Sequence, residues 1–366
     1  MSAVRLLSGL ALACFAANAG AASIPAAMKD GLLVASPAEV SLRTAPLDGL
    51  TPEVVAAEFP DTTSVLVFKD DRLVFERYFG SGGINVLNDT RSATKTLTAL
   101  IVGQAIADGA LRTAEQPVFA LFPDLAPFRN DGELKQGITL MDLLTMSSAL
   151  DCNDSDDASV GKEEKMYAQA RWSRWAVDLP VKPDYSRGPS GRGPFSYCTA
   201  GVFLLGQAVQ RATQMPLDQY FDARLFRPLG IRDRQWARSP GGELQAGGGL
   251  RLRSRDLLKL GVLMKDGNWR GVQLVPEAWV RRMQTVSNVV NDQQSYGMLY
   301  WQRQFTSNCG AVNGWYMSGN GGNAVVSVPL RSLVVVVTRT HYNQKGMHEE
   351  TARLLEQHVF PALPCS

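Results

Sequence analysis

Ser92 and Lys95 lie one helical turn apart in Arg91-Ser92-Ala93-Thr94-Lys95, a spacing that sets a hydroxyl and an amine on the same helix face. The polar stretch Asn88-Asp89-Thr90 precedes them. Leu97, Leu100, Ile101, Val102, Ala105 and Ile106 follow at helical intervals, and Gly109 offers a stop. The pattern predicts a buried helix over residues 93–108 with Ser92 at its first turn. A helix N-terminus carries unpaired N–H groups and about half a positive charge, which favour an alkoxide and an acyl oxyanion. A lysine in apolar surroundings loses stability as a cation and can take up a serine proton. The chemistry open to such a pair is acyl transfer through serine.

A second Ser-x-x-Lys, Ser159-Val160-Gly161-Lys162, lies in a polar, acidic segment with a glycine inside it. No helix fixes its geometry. The motif alone therefore decides nothing, and Ser92 needs partners. Tyr197, in Phe195-Ser196-Tyr197-Cys198-Thr199, ends a Gly/Pro-rich loop and opens a helical pattern over residues 201–212. Beside a lysine cation its phenol is expected to ionise more readily and to act as a base. Met317-Ser318-Gly319-Asn320-Gly321-Gly322-Asn323 runs into a strand-like stretch. Glycines at a strand edge allow close approach to the backbone, and an N–H from this stretch, with that of Ser92, would make an oxyanion hole. A histidine route has little support: there is no Gly-x-Ser-x-Gly elbow, and His341, His348 and His358 gather near the C-terminus.

The elements that must position these residues follow from the order of patterns. Residues 63–68 and 73–78 are β-rich runs around Lys69-Asp70-Asp71-Arg72, a hairpin. Helical patterns then dominate: 93–108, 140–146, 201–212, 217–226, 255–265 and 277–283. Strand-like stretches return at 296–305, 314–318, 324–328 and 333–340. Leu333-Val334-Val335-Val336-Val337 suits a strand buried on both faces. Residues 349–359 close the chain as a helix. This order predicts an α+β fold, an antiparallel sheet built from both chain ends (about 36–84 plus 291–366) flanking a mainly helical part (about 85–290). Gly247-Gly248-Gly249 lacks the Lys-Ser/Thr of a phosphate cradle and reads as a tight backbone approach.

Residues 1–22 have the build of a signal peptide: Arg5, a short apolar core from Leu6 to Ala17, then small residues. Export, periplasmic or secreted, follows as an expectation, with residues 23–366 as the mature domain and no membrane span within it. Cys152, Cys198, Cys309 and Cys365 remain, an even number that suggests disulfides with three possible connectivities. Because Cys198 adjoins Tyr197, a Cys152–Cys198 bridge would fix that loop, leaving Cys309 with Cys365. No Cys-x-x-Cys supports a metal site, and no cofactor is implied. With 45% hydrophobic and 20% charged residues and a net charge of +2, the balance is globular. It gives no sign of a nucleic-acid partner.

Together, in this order, Ser92-x-x-Lys95, Tyr197-x-Thr199 and the glycine-rich strand edge resemble the serine β-lactamase and penicillin-binding protein superfamily. The match is to its class C-like branch of esterases, D-stereospecific peptidases and 6-aminohexanoate-dimer hydrolases. Gly248-Gly249-Leu250-Arg251-Leu252 and Val275-Pro276-Glu277-Ala278-Trp279 also look like that branch. The resemblance implies a Ser92 acyl-enzyme, with Lys95 and Tyr197 exchanging its proton and Tyr197 protonating the leaving group. It implies an oxyanion hole from the N–H groups of Ser92 and Asn323, with Asn320, Gly321 and Gly322 binding substrate where the family has Lys-Thr-Gly. Thr199 stands where asparagine is usual, and Asn320 where a lysine helps hold a β-lactam carboxylate. Weak β-lactamase activity at most is expected unless Arg339 or Lys345 supplies the missing cation.

The implied partner is a small amide or ester; the oligomeric state stays open. A carboxylesterase, a D-aminopeptidase or DD-peptidase, and a non-catalytic cell-wall or peptide-binding relative are the competing readings. The acidic loop Asp151-Cys152-Asn153-Asp154-Ser155-Asp156-Asp157 is either solvated or reaches the cleft, where it would select a cationic substrate end.

Overall fold

A computed structural model of the chain describes residues 24–365. The expected signal peptide lies outside the described residues. Eight strands form one antiparallel sheet: β1 (Thr62–Lys69), β2 (Arg72–Tyr78), β3 (Asn288–Asn291), β4 (Gln294–Tyr296), β5 (Trp301–Ser307), β6 (Gly310–Gly319), β7 (Asn323–Val328) and β8 (Leu333–Arg339). Their spatial order is β2-β1-β8-β7-β6-β5-β4-β3. The C-terminal strands run as a meander, and the N-terminal hairpin joins it by pairing β1 with β8, Val65 opposite Val337. Two distant parts of the sequence thus share one sheet, as the order of patterns predicts.

The sheet is covered on both sides. On β1, Leu66 and Phe68 enter one apolar cluster while Val65 and Val67 enter the other; on β8, Val334 and Val336 alternate likewise with Val335 and Val337. Alternation between two buried faces explains why β8 reads as a continuous apolar run. Six helices matter for the site: α1 (Thr94–Ala107), α2 (Leu140–Leu144), α3 (Thr199–Thr213), α4 (Ser254–Leu263), α5 (Glu277–Met283) and α6 (Met347–Leu354). α4 lies across β8, β7 and β1. Gly261 permits this approach, since a Cβ there would stand 2.6 Å from Val325 and Val334.

Residues Thr94 to Ala105 of α1 are all buried. An apolar helix with no wet face belongs at the centre of a fold. Trp279 of α5 packs on Gly103 of α1 and donates its indole N–H to the Ala99 carbonyl at 2.9 Å. The core helix therefore carries the catalytic candidates on a rigid mount.

Three elements depart from expectation, one being the closing helix expected over 349–359, which is α-helical at Met347–Leu354 and widens to a π-turn at Leu355–Val359. The stretch 296–305 is not one strand: β4 ends at Tyr296 and β5 starts at Trp301, with a turn through Gly297 and Leu299, whose φ is 51°. The helix expected over 217–226 is α-helical at Leu217–Phe221 and widens to a π-turn at Asp222–Phe226. Among the described residues no helix is long and apolar enough to cross a membrane.

Candidate active site

Ser92 sits in a 3-10 turn, Arg91–Ala93, that leads directly into α1. This turn is tied to the short strand Leu250–Leu252: the Thr90 N–H and hydroxyl both donate to the Leu250 carbonyl, at 3.0 and 2.6 Å. Arg91 takes a left-handed φ of 49°, which turns the chain sharply before Ser92. Lys95, one turn on and 1% exposed, donates from Nζ to Ser92 Oγ at 2.9 Å and to the Gly247 carbonyl at 2.7 Å. The hydroxyl and the amine are in hydrogen-bond contact.

Tyr197 comes from the opposite wall. Its loop is pinned on all sides: the Ser196 N–H donates to the Met146 carbonyl at 2.7 Å, and the Asp154 N–H to the Tyr197 carbonyl at 2.8 Å. A Cys152–Cys198 disulfide joins the same two segments. Lys95 Nζ lies 5.0 Å from the centre of the Tyr197 ring. Trp301 stacks on that ring at 5.9 Å, and Tyr296 meets it edge-on.

This aromatic enclosure reverses one expectation. The Tyr197 phenol is pushed above its ordinary range, because burial outweighs the Lys95 charge and the Ser92 hydroxyl that draw it down. In the free protein Tyr197 is therefore a proton donor.

The second Ser-x-x-Lys is no pair. Ser159 Oγ accepts from the Asn153 N–H at 2.9 Å, while Lys162 pairs with Asp157 and Glu164. His341 is engaged with Asp61 and Glu350, and His358 with the Pro46 carbonyl.

The glycine-rich segment meets Ser92 three residues earlier than expected. Gly319, the last residue of β6, is pressed on the serine turn: a Cβ there would stand 2.2 Å from the Thr90 carbonyl oxygen and 3.3 Å from the Ala93 nitrogen. Asn320, Gly321 and Gly322 form the β6–β7 turn instead. The Asn320 side chain is bound at both ends to Asn343, at 2.8 Å each. Gly321 lies under the Tyr342 ring, and the Gly322 carbonyl accepts from Thr351 at 2.7 Å. Asn323 is buried, its side chain bridging the Asn320 and Arg339 backbones.

Arg339 is buried too, held by Glu350 and the Pro60 and Met347 carbonyls, so it is no substitute for a cleft cation. Lys345 is exposed.

Thr199, at the usual asparagine position, is fully buried with its hydroxyl unpartnered, and its methyl faces Gly247. The acidic loop divides. Asp156 and Asp157 are exposed, whereas Asp154 turns inward and accepts from the Thr199 N–H at 2.7 Å and the Glu163 N–H at 3.0 Å. It thereby satisfies a free N–H at the start of α3. Burial raises the Asp154 pKa, the Lys95 charge opposes that rise, and Glu163 adds to it. Sequence reasoning missed Gln245, Glu163 and Trp301 as neighbours of the site. The Gly247–Gly249 run was the one signal nearby, and it marks the close backbone approach expected there.

A sequence model of the family described as Beta-lactamase matches residues 56–359. The chain belongs to the Beta-lactamase family. Its architecture is the β-lactamase-like fold. The 6-aminohexanoate-dimer hydrolase of Paenarthrobacter ureafaciens is 27% identical over 254 residues, 67% of this chain and 63% of that protein. The chain thus spans 63% of the length of the curated relative it matches. A D-stereospecific amidohydrolase from Streptomyces superposes with a TM-score of 0.63 at 18% identity, over 83% of this chain and 96% of that one. EstCE1, a hydrolase with promiscuous acyltransferase activity, superposes at 0.66 and 14% identity, over 85% and 98%. At those identities the likeness is one of fold, and this Beta-lactamase family chain shares it across most of its length.

Proposed function

We propose that the chain is an exported serine hydrolase that cleaves small amides or esters through an acyl-enzyme on Ser92. One observation carries the reading: Lys95 Nζ lies 2.9 Å from Ser92 Oγ while the Tyr197 ring stands over the same nitrogen. Ser92 Oγ attacks the substrate carbonyl carbon as its proton passes to the Lys95 amine, which returns it to Ser92 Oγ when the acyl group leaves. The oxyanion is received by the Ser92 N–H and by the N–H that follows Gly319, that of Asn320, since Gly319 is the strand residue against the serine turn. Tyr197, protonated at rest, supplies the leaving group with its proton and then accepts one from the deacylating water. The intact trio argues against a non-catalytic binding role.

Linear amides with an amino end, as the name of the Paenarthrobacter relative implies for that protein, are the favoured substrates. The Glu163 carboxylate at the cleft edge, near Gly248, supports selection of a cation. Phe195 and Trp301, both partly exposed beside Tyr197, suit an apolar acyl chain. Carboxylesterase or D-aminopeptidase activity remains the second reading. Export is supported by the N-terminal pattern and by two disulfides, Cys152–Cys198 and Cys309–Cys365.

Turnover of p-nitrophenyl acetate and of 6-aminohexanoate dimer tests this directly. Hydrolysis of the dimer supports the amidase; ester turnover alone supports the esterase; neither rejects both.

A further inference from the structure

Lys95 is held by a carbonyl that has no freedom of its own. Gly247, whose oxygen accepts from Lys95 Nζ at 2.7 Å, is wedged between two neighbours. A Cβ on it would stand 2.9 Å from the Thr199 methyl and 3.3 Å from Gln245 Oε1. Its own N–H donates to Gln245 Oε1 at 2.9 Å. Gln245 is 1% exposed, and its other end is not idle: Nε2 donates to the Tyr167 hydroxyl at 3.2 Å, and that hydroxyl donates to Glu163. One residue along, the Ala246 carbonyl accepts from Thr98 of α1 at 2.7 Å. A polar chain therefore runs from Glu163 through Tyr167, Gln245 and Gly247 to Lys95 and Ser92.

We propose that Gln245 is a positioning residue for Lys95, acting through the Gly247 peptide, with Tyr167 and Glu163 as its outer support. The physical need is plain. An amine that must both hold and return the Ser92 proton is useful only if Nζ stays within hydrogen-bond reach of Oγ, and a lysine stem has four rotatable bonds to lose it by. The Gly247 carbonyl fixes the second direction of Nζ, and Gln245, by holding the N–H of the same residue, restrains the backbone rotation that would swing that carbonyl away. A side-chain amide suits the place because it accepts from Gly247 and donates to Tyr167 at once. The orientation of its two ends follows from these partners.

This inference rests on the hydrolase reading. Gln245→Met keeps the volume and removes both hydrogen bonds. With p-nitrophenyl acetate, kcat is expected to fall at least about tenfold with KM within about twofold, because binding is untouched and only proton transfer is displaced. In a Lys95→Ala background the same substitution is expected to change the residual rate by less than about twofold, as groups acting as one unit are not additive. Tyr167→Phe, which keeps the ring against Trp172 and removes only the hydroxyl, is expected to lower kcat about threefold by loosening the outer link. A folded Gln245→Met enzyme with wild-type kcat, or one that loses as much in the Lys95→Ala background, overturns the positioning role. If Gln245→Met does not fold, an unchanged kcat in Tyr167→Phe overturns it. A wild type without turnover overturns the hydrolase reading itself, and the positioning role with it.

Discussion

Gly319 and Thr90 meet with no space between them: the α-carbon at the end of β6 lies against the carbonyl that opens the serine turn, and any side chain would overlap that oxygen. This contact locks the strand edge to Ser92 and sets the distance between the two sides of the cleft. Gly319→Ala is expected to destabilise the fold by about 1–3 kcal/mol through overpacking. It is also expected to cost about 10²-fold in kcat by shifting the strand N–H away from Ser92. Thermal unfolding and ester kinetics on the same preparation check both.

The raised Tyr197 pKa makes a pH prediction. Its phenol stays protonated in the folded protein above the unfolded value near 10. Its contribution to stability is thus fully present below about pH 10 and lost as pH rises through the folded value. A spectrophotometric titration of wild type against Tyr197→Phe is expected to show no phenolate difference from pH 7 to about 10. A phenolate signal at neutral pH from Tyr197 would contradict the burial argument.

The two disulfides are expected to differ in consequence. Cys152 and Cys198 are buried and clamp the Tyr197 loop, whereas Cys365 is exposed. Mild reduction is expected to open Cys309–Cys365 first, with activity retained, as peptide mapping of alkylated cysteines will read. The double variant Cys152→Ser/Cys198→Ser is expected to lose about 2–4 kcal/mol of stability and most of kcat.

β-Lactam hydrolysis is expected to be poor. Met317 and Gly319 occupy the cleft end of β6, Asn320 is bound to Asn343, and Arg339 is buried in its own network. Missing a charge-assisted contact of about 1.5–3 kcal/mol predicts a nitrocefin kcat/KM about 10–100-fold below that of a neutral ester of similar reactivity. Equal efficiency on both would show another cation at work.

Much of this arrangement was legible in the residues themselves. The α1 helix was readable because its apolar positions repeat at helical spacing, and β8 because a run of valines suits burial on two faces. Other features depend on contacts that local patterns do not encode. The break after Tyr296 was hidden because Met298, Leu299 and Tyr300 are all apolar, yet Gly297 lies against the Met283 carbonyl and forces a turn. Which glycine of 319–322 touches the serine turn is decided by the register of β6 on β7, with Gly319 opposite Asn323. The Tyr197 shift depends on Tyr296 and Trp301, roughly a hundred residues away in the chain. Gln245 left no local mark, since its role lies in the Gly247 and Tyr167 it touches.

The central claim is that Ser92, activated by Lys95, carries the acyl group. Mass spectrometry of the protein after reaction with a fluorophosphonate probe measures this most directly. The expected result is one adduct on the peptide containing Ser92, none in Ser92→Ala, and labelling slowed about 10²-fold or more in Lys95→Met. An adduct on a different serine, or undiminished labelling of Ser92→Ala, would contradict it.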